Sequence, residues 1–130
     1  VDVRRATELD IAAIQTFWGE LDSTDPEFNC LGRVPNDAVL LGYLKEPRAI
    51  AIAEDSGIVA VDLFNLDTGY VWITAVLRER FDEAMPALLR HEMEWTGVAP
   101  WGPVTTVAML NRYLALGCVE DENGDVRWAR

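Results

Sequence analysis

Histidine, cysteine and basic side chains are all scarce in this sequence of 130 residues. The single histidine, His91, removes most metal sites and most histidine-dependent nucleophile chemistry from consideration. His91-Glu92-Met93-Glu94-Trp95 begins like the His-Glu-x-x-His of zinc proteases. Trp95 stands where the second histidine would be, so one helical face cannot supply two ligands. A Ser-His-Asp site would need the same histidine, and neither Ser23 nor Ser56 lies in a nucleophile elbow. No phosphate-binding glycine loop of the nucleotide-binding types occurs. No residue is expected to hold a metal. Cys30 and Cys118 lie far apart, outside any Cys-x-x-Cys pattern, and read as separate thiols of a reducing compartment. No apolar run approaches the ~18 residues of a membrane span. The opening VDVRRATELD lacks the apolar stretch of a signal peptide. A cytoplasmic setting is therefore expected.

Basic residues number 11 against 22 acids, a net charge of −11. Nucleic acid and anionic membranes both need lysine and arginine on the protein, so neither is an expected partner. A basic protein or a cationic small molecule suits the balance better. The charge does not forbid self-association, and a homo-oligomer stays open. Half of the residues are hydrophobic, which separates this chain from disordered acidic proteins and gives one domain, 1–130, a core of its own.

The periodicity predicts a short strand at Val1–Arg4, then a helix capped by Thr7 with Asp10 three residues on. Ile11, Ile14, Trp18 and Leu21 make its apolar stripe. Residues 22–35 read as a loop, and Asn36 caps a shorter helix through Leu44. A meander follows: strands at Ala49–Glu54, Ile58–Asn65 and Tyr70–Val76, with turns at Asp55-Ser56-Gly57 and Leu66–Gly69. Asp82–Thr96 is helical by spacing, with Pro86 expected in its first turn and Gly97 as its stop. A strand at Val104–Ala108, a helix at Met109–Leu116 and a hairpin complete the chain. The hairpin joins Cys118–Glu122 to Asp125–Arg130 through Asn123-Gly124, a type I′ signal. The fold class is thus α+β: a mixed sheet of about seven strands flanked by about four helices, with one parallel crossover through the long helix.

This order resembles the GNAT acyltransferase fold along the whole chain. VRRATELDIAAIQ is similar to the family's first strand and helix, and Tyr113-Leu114-Ala115-Leu116-Gly117-Cys118 to its Tyr-x-x-Leu-Gly-Phe. The resemblance implies acetyl-CoA as cofactor and Tyr113 as the acid that protonates the departing thiolate. The family's Arg-x-x-Gly-x-Gly/Ala motif would place Arg80 on the cofactor. Here Phe81, Asp82, Glu83, Ala84, Met85 and Pro86 follow Arg80, and every expected glycine is missing. Bulk stands where backbone should approach a pyrophosphate, and carboxylates stand at the helix start. No catalytic or cofactor-binding residue is therefore expected, Tyr113 and Arg80 being the candidates if the chain is active.

A narrower resemblance is to the small degenerate GNAT-like proteins of tailed phages, of the internal-core or head-assembly type. It rests on Gly69-Tyr70-Val71-Trp72-Ile73-Thr74, on the glycine-free start of Arg78–Trp95, and on Asn111–Gly117 before the hairpin. It implies a binding or structural protein of a virion or the host cytoplasm, working through other phage structural proteins or a basic partner. The other reading is an acetyl-CoA-dependent N-acetyltransferase for a cationic amine. Trp101, in Ala99-Pro100-Trp101-Gly102-Pro103, is a candidate interface anchor if it stands exposed, the alternative being that it folds back over the sheet edge. The acidic stretches Asp22–Glu27 and Glu120–Glu122 read as solvated surface.

Overall fold

A computed structural model describes residues 1–129. Strand β1 (Asp2–Arg5) leads through a 3₁₀ turn into α1 (Ile11–Thr24). After the loop comes α2 (Asp37–Tyr43), then the meander β2 (Arg48–Glu54), β3 (Ile58–Asn65) and β4 (Val71–Val76). A second 3₁₀ turn opens α3 (Phe81–Thr96). Strand β5 (Trp101–Pro103), α4 (Val107–Ala115), β6 (Val119–Glu120) and β7 (Asp125–Arg127) follow.

The strands form two sheets. The larger is antiparallel throughout, in the order β1-β2-β3-β4, and the smaller has the order β5-β7-β6. β2 and β3 read as unbroken apolar runs because both faces are covered, by α1 and α2 on one side and α3 on the other. Alternation along β3 sends Asp62 and Phe64 toward α3, where Phe64 stacks on Trp95 at 6.1 Å. Leu63 pairs with Ile73 and Phe64 with Val71, so a bulge leaves Trp72 without a partner on β3. Its ring stacks instead on Tyr43 of α2, 5.5 Å away and nearly parallel.

The two sheets meet at a single parallel bridge between Tyr70 and Trp101. The Trp101 N–H donates to Gly69 O at 3.1 Å. One residue on, β5 presses against β4 so closely that a Cβ on Gly102 would lie 2.2 Å from Val71 O. Past that point the strands part. The β4 edge that β5 abandons is taken by the segment after α1: Asn29 bridges Ala75, and the Cys30 N–H donates to Thr74 O at 3.2 Å.

Several boundaries differ from the sequence expectation. The fifth strand lies at Trp101–Pro103, not Val104–Ala108, because Thr106 caps α4. The Thr106 hydroxyl receives the Met109 N–H at 3.4 Å and donates to Glu27 O at 2.8 Å. Pairing with β7 then places Trp101 in a sheet rather than a loop. Its ring packs edge-on against Tyr70 at 4.9 Å, and its indole N–H donates to Thr68 O at 3.0 Å. Trp101 is thus half-buried and folded onto the sheet edge, not an exposed anchor. The Thr7–Asp10 capping box closes the 3₁₀ turn Glu8–Asp10, one turn ahead of α1. Pro86 lies inside α3 rather than in its first turn, since the helix begins at Phe81. The last hairpin is shorter than expected: Asp121 receives the N–H groups of Asn123 and Asp125 at 2.8 and 3.0 Å. Asn123 keeps negative φ, so the turn is not type I′, and Arg130 lies outside the described residues.

Gly102→Ala should destabilise the protein by about 3 kcal/mol, since backbone rather than a flexible side chain must yield. Urea unfolding checks this; an unchanged midpoint would show that β5 can retreat from Val71 without cost.

Candidate functional site

Divergence of β4 and β5 leaves a cavity of about 30 Å³ lined by Trp72, Thr74, Leu89, Tyr113, Cys118 and Trp128, among others. Such a space holds a water or two. Tyr113 reaches it from α4, its ring edge-on to Phe81 at 5.0 Å. Its hydroxyl donates to Thr74 Oγ1 over 3.5 Å, and the Thr74 hydroxyl donates to Asp62 Oδ1 at 2.5 Å. Burial pushes the Tyr113 phenol well above its usual range, with the charge of Asp62 adding to the shift.

Behind Asp62 stands Glu92 of α3, also fully buried. No N–H or hydroxyl among the described residues reaches Asp62 Oδ2 or either oxygen of Glu92. Two facing carboxylates cannot both stay charged there. Burial raises both, and Asp62 raises Glu92 further, whereas the Thr74 hydroxyl draws Asp62 back down. Burial and the neighbouring Asp62 thus favour the protonated form of Glu92, which removes the repulsion between the two carboxylates.

The turn between β4 and α3 is closed. Leu77 O and Val59 O take the N–H groups of Arg80 and Leu77 at 3.0 and 2.9 Å. Arg78 holds Asp25 through two bonds of 3.0 and 2.7 Å, reaches Glu27 at 3.2 Å, and lies over the Phe28 ring at 4.3 Å. Arg80 is held by Asp55 at 2.8 Å and Glu83 at 3.1 Å. These carboxylates raise both guanidinium pKa values. Asp82 and Glu83 occupy the first turn of α3, where negative charge complements the helix dipole.

The fold is that of the GNAT acetyltransferases. The chain is similar to the ribosomal-protein-S18-alanine N-acetyltransferase of Escherichia coli, with a TM-score of 0.65 and 10% identity. That likeness covers 97% of this chain and 88% of that one. A phosphinothricin acetyltransferase of Sinorhizobium meliloti, solved with acetyl-CoA, gives a TM-score of 0.63 at 12% identity, covering 97% and 84%. A Corynebacterium glutamicum structure described as histone acetyltransferase HPA2 and related acetyltransferase gives 0.60 at 22%, covering 96% and 91%. No protein-family model and no curated protein matches the sequence.

Within this GNAT frame, Tyr113 lines the opening between β4 and β5, while Arg80 lies at the head of α3 and is bound to acids. His91 is a packing residue: Nδ1 donates to Ala87 O at 2.9 Å, with Trp95 beside the ring. The described residues contain no cluster placed to hold a metal, and no helix among them is long and apolar enough to cross a membrane. The Asp22–Glu27 stretch is not simply solvated. Asp22 receives the Asn29 amide at 2.9 Å, and Asp25 holds Arg78. Sequence reasoning missed Asp62, Thr74 and Glu92, although a signal existed. Asp62 interrupts the apolar run of Ile58–Asn65, and Glu92 falls one turn after Leu88 on the buried stripe.

Proton counts set the pH response of the buried pair. Unfolded Asp and Glu titrate near about 3.9 and 4.3, whereas the folded pair keeps a proton to higher pH. The folded state then binds more protons, so stability falls as pH rises, by at most about 1.4 kcal/mol per pH unit. The decline ends once Glu92 ionises in the folded protein. Glu92→Gln should flatten the decline in a series of urea midpoints from about pH 5 to pH 8. A slope equal to that of the parent would refute a proton held on Glu92.

Proposed function

We propose that this chain is a non-catalytic GNAT-fold binding or structural protein in which the pyrophosphate loop is lost. One observation supports the reading: side chains and backbone of this chain occupy the β4 edge and the arginines that a coenzyme A molecule would be expected to use. Between β4 and β5, an extended ligand would have to bond to the free β4 edge. Asn29 and Cys30 hold that edge, and Thr105 donates to Cys30 O at 3.3 Å from the far side. At the head of α3, the arginines that could meet a diphosphate are occupied by Asp25, Glu27, Asp55 and Glu83. A phosphate charge about 4 Å from one of these carboxylates is repelled by ~1 kcal/mol in water and ~4 kcal/mol at a near-surface dielectric. The residues present do not fit the group. The sequence resemblance to degenerate phage proteins favours a role in a virion or in head assembly. The acidic hairpin Glu120–Glu122 is the exposed surface for a basic protein partner.

A second reading, an acetyl-CoA-dependent N-acetyltransferase acting on a cationic amine, is favoured by the GNAT neighbours and by Tyr113 in the opening. Its weakness is the phenol itself: a pKa raised well above 10 makes a poor acid.

Calorimetry with acetyl-CoA at about 1 mM and low salt separates the two. No heat of binding is expected, and no thermal stabilisation, where a ligand at 100 times its dissociation constant would add ~2.7 kcal/mol. Micromolar binding, with amine acetylation that Tyr113→Phe abolishes, would overturn the proposal in favour of the enzyme.

A further inference from the structure

A second hollow lies on the opposite side of Trp72 from α3. It is a groove of about 530 Å³ lined by α2, the start of β2 and the start of β4, the size of small-molecule sites. Its floor is aromatic: Tyr43 and Trp72 stack with an interplanar angle of 9°, and Tyr70 stands beside them. Arg48 lies over the Tyr43 ring with its guanidinium 5.3 Å from the centroid. Gly42 lies beside it, the Arg48 Nη1 being 3.7 Å from where a Cβ would stand, an ordinary contact distance.

The polarity of this groove is the reverse of the chain's. The molecule carries 22 acids, yet none lines the groove. Arg4, Arg5, Arg78, Arg80 and Arg112 are all paired with carboxylates. Among the described residues Arg48, like Arg33, Arg90 and Arg127, has no carboxylate partner, and the hydroxyls of Tyr43 and Tyr70 have no hydrogen-bond partner. Three donors and the stacked Tyr43–Trp72 pair thus share one open hollow that no carboxylate lines. Burial raises the Tyr43 phenol pKa, with Arg48 opposing the shift and Tyr70 adding to it.

We infer that the groove of Tyr43, Arg48, Tyr70 and Trp72 binds a small aromatic carboxylate, its ring against Trp72 and Tyr43 and its carboxylate on Arg48 and the tyrosine hydroxyls. A single arginine matches one negative charge, and a guanidinium takes a carboxylate through two parallel bonds. A phosphate ester, with nearly two charges, would face the field of a −11 protein with one cation to hold it. The inference does not depend on whether the chain binds acetyl-CoA.

Calorimetry at 0.15 M salt, which screens the distant acids but not a direct contact, tests it with three probes. Indole-3-acetate should bind with a submillimolar dissociation constant. Tryptamine, the same ring on a cation, should bind at least about tenfold more weakly. Arg48→Gln, at an exposed position, should weaken indole-3-acetate by about tenfold and erase the discrimination. Arg90→Gln, exposed on α3, should change nothing. Far-UV circular dichroism confirms that each variant is folded. No indole-3-acetate binding at 5 mM, equal binding of tryptamine, or an Arg48→Gln variant that binds like the parent would each overturn the inference. So would tighter binding of adenosine monophosphate, which would assign the groove to a phosphate ester.

Discussion

Asn29 is the residue on which the arrangement around the opening depends. It is buried, and it uses both ends of its amide. Its oxygen receives the Trp18 indole N–H at 2.6 Å and the Leu31 N–H at 3.1 Å, while its nitrogen donates to Asp22. These bonds fasten the segment after α1 to the helix and hold it along β4. Phe28 is then driven fully into the core against Phe81, and Cys30 approaches Met109 of α4 with the sulfurs 3.2 Å apart. One short stretch thereby touches α1, β4, α3 and α4. A buried amide with its partners removed leaves unsatisfied groups, which is costly, so the strap is held by the same physics that fills the core.

Charge is distributed to the same end. Asp25 and Glu27 belong to the strap, and their partner Arg78 belongs to the turn before α3, so the ion pairs close the strap over that turn. Arg80 closes the other side through Asp55 and Glu83. These pairs are partly exposed, and pairs of that kind contribute little to stability. Their effect here is steric and electrostatic occupation. The Asp62–Glu92 pair is different: both carboxyls are fully buried, and a protonated Glu92, which burial favours, lowers the cost of placing them together.

The two hollows flanking Trp72 follow from one backbone irregularity. The bulge that removes Trp72 from the β3 ladder turns its ring to α2, where it becomes the wall of the wide groove. The same ring borders the narrow cavity beside Tyr113. A sheet without the bulge would keep strict alternation and offer neither wall.

Elements whose signals are local were legible in the sequence. The meander strands, the Asn36 cap of α2, the stop at Gly97 and the whole GNAT order rest on period, capping and turn chemistry within a few residues. Composition by itself determined that the chain has a core and that its net field is negative. Contacts between distant segments were decided by tertiary structure alone. Trp101 reads as loop because Pro100, Gly102 and Pro103 surround it, yet pairing with β7 makes it strand. Asp22 and Asp25 read as solvated because their partners, Asn29 and Arg78, become neighbours only after α1 packs on β4. Asp62 and Glu92 lie 30 positions apart in the chain (92 − 62), on a strand and a helix whose packing brings them face to face. Local free-energy preferences can be read from local sequence. A bond between remote groups exists only once the core has placed them together.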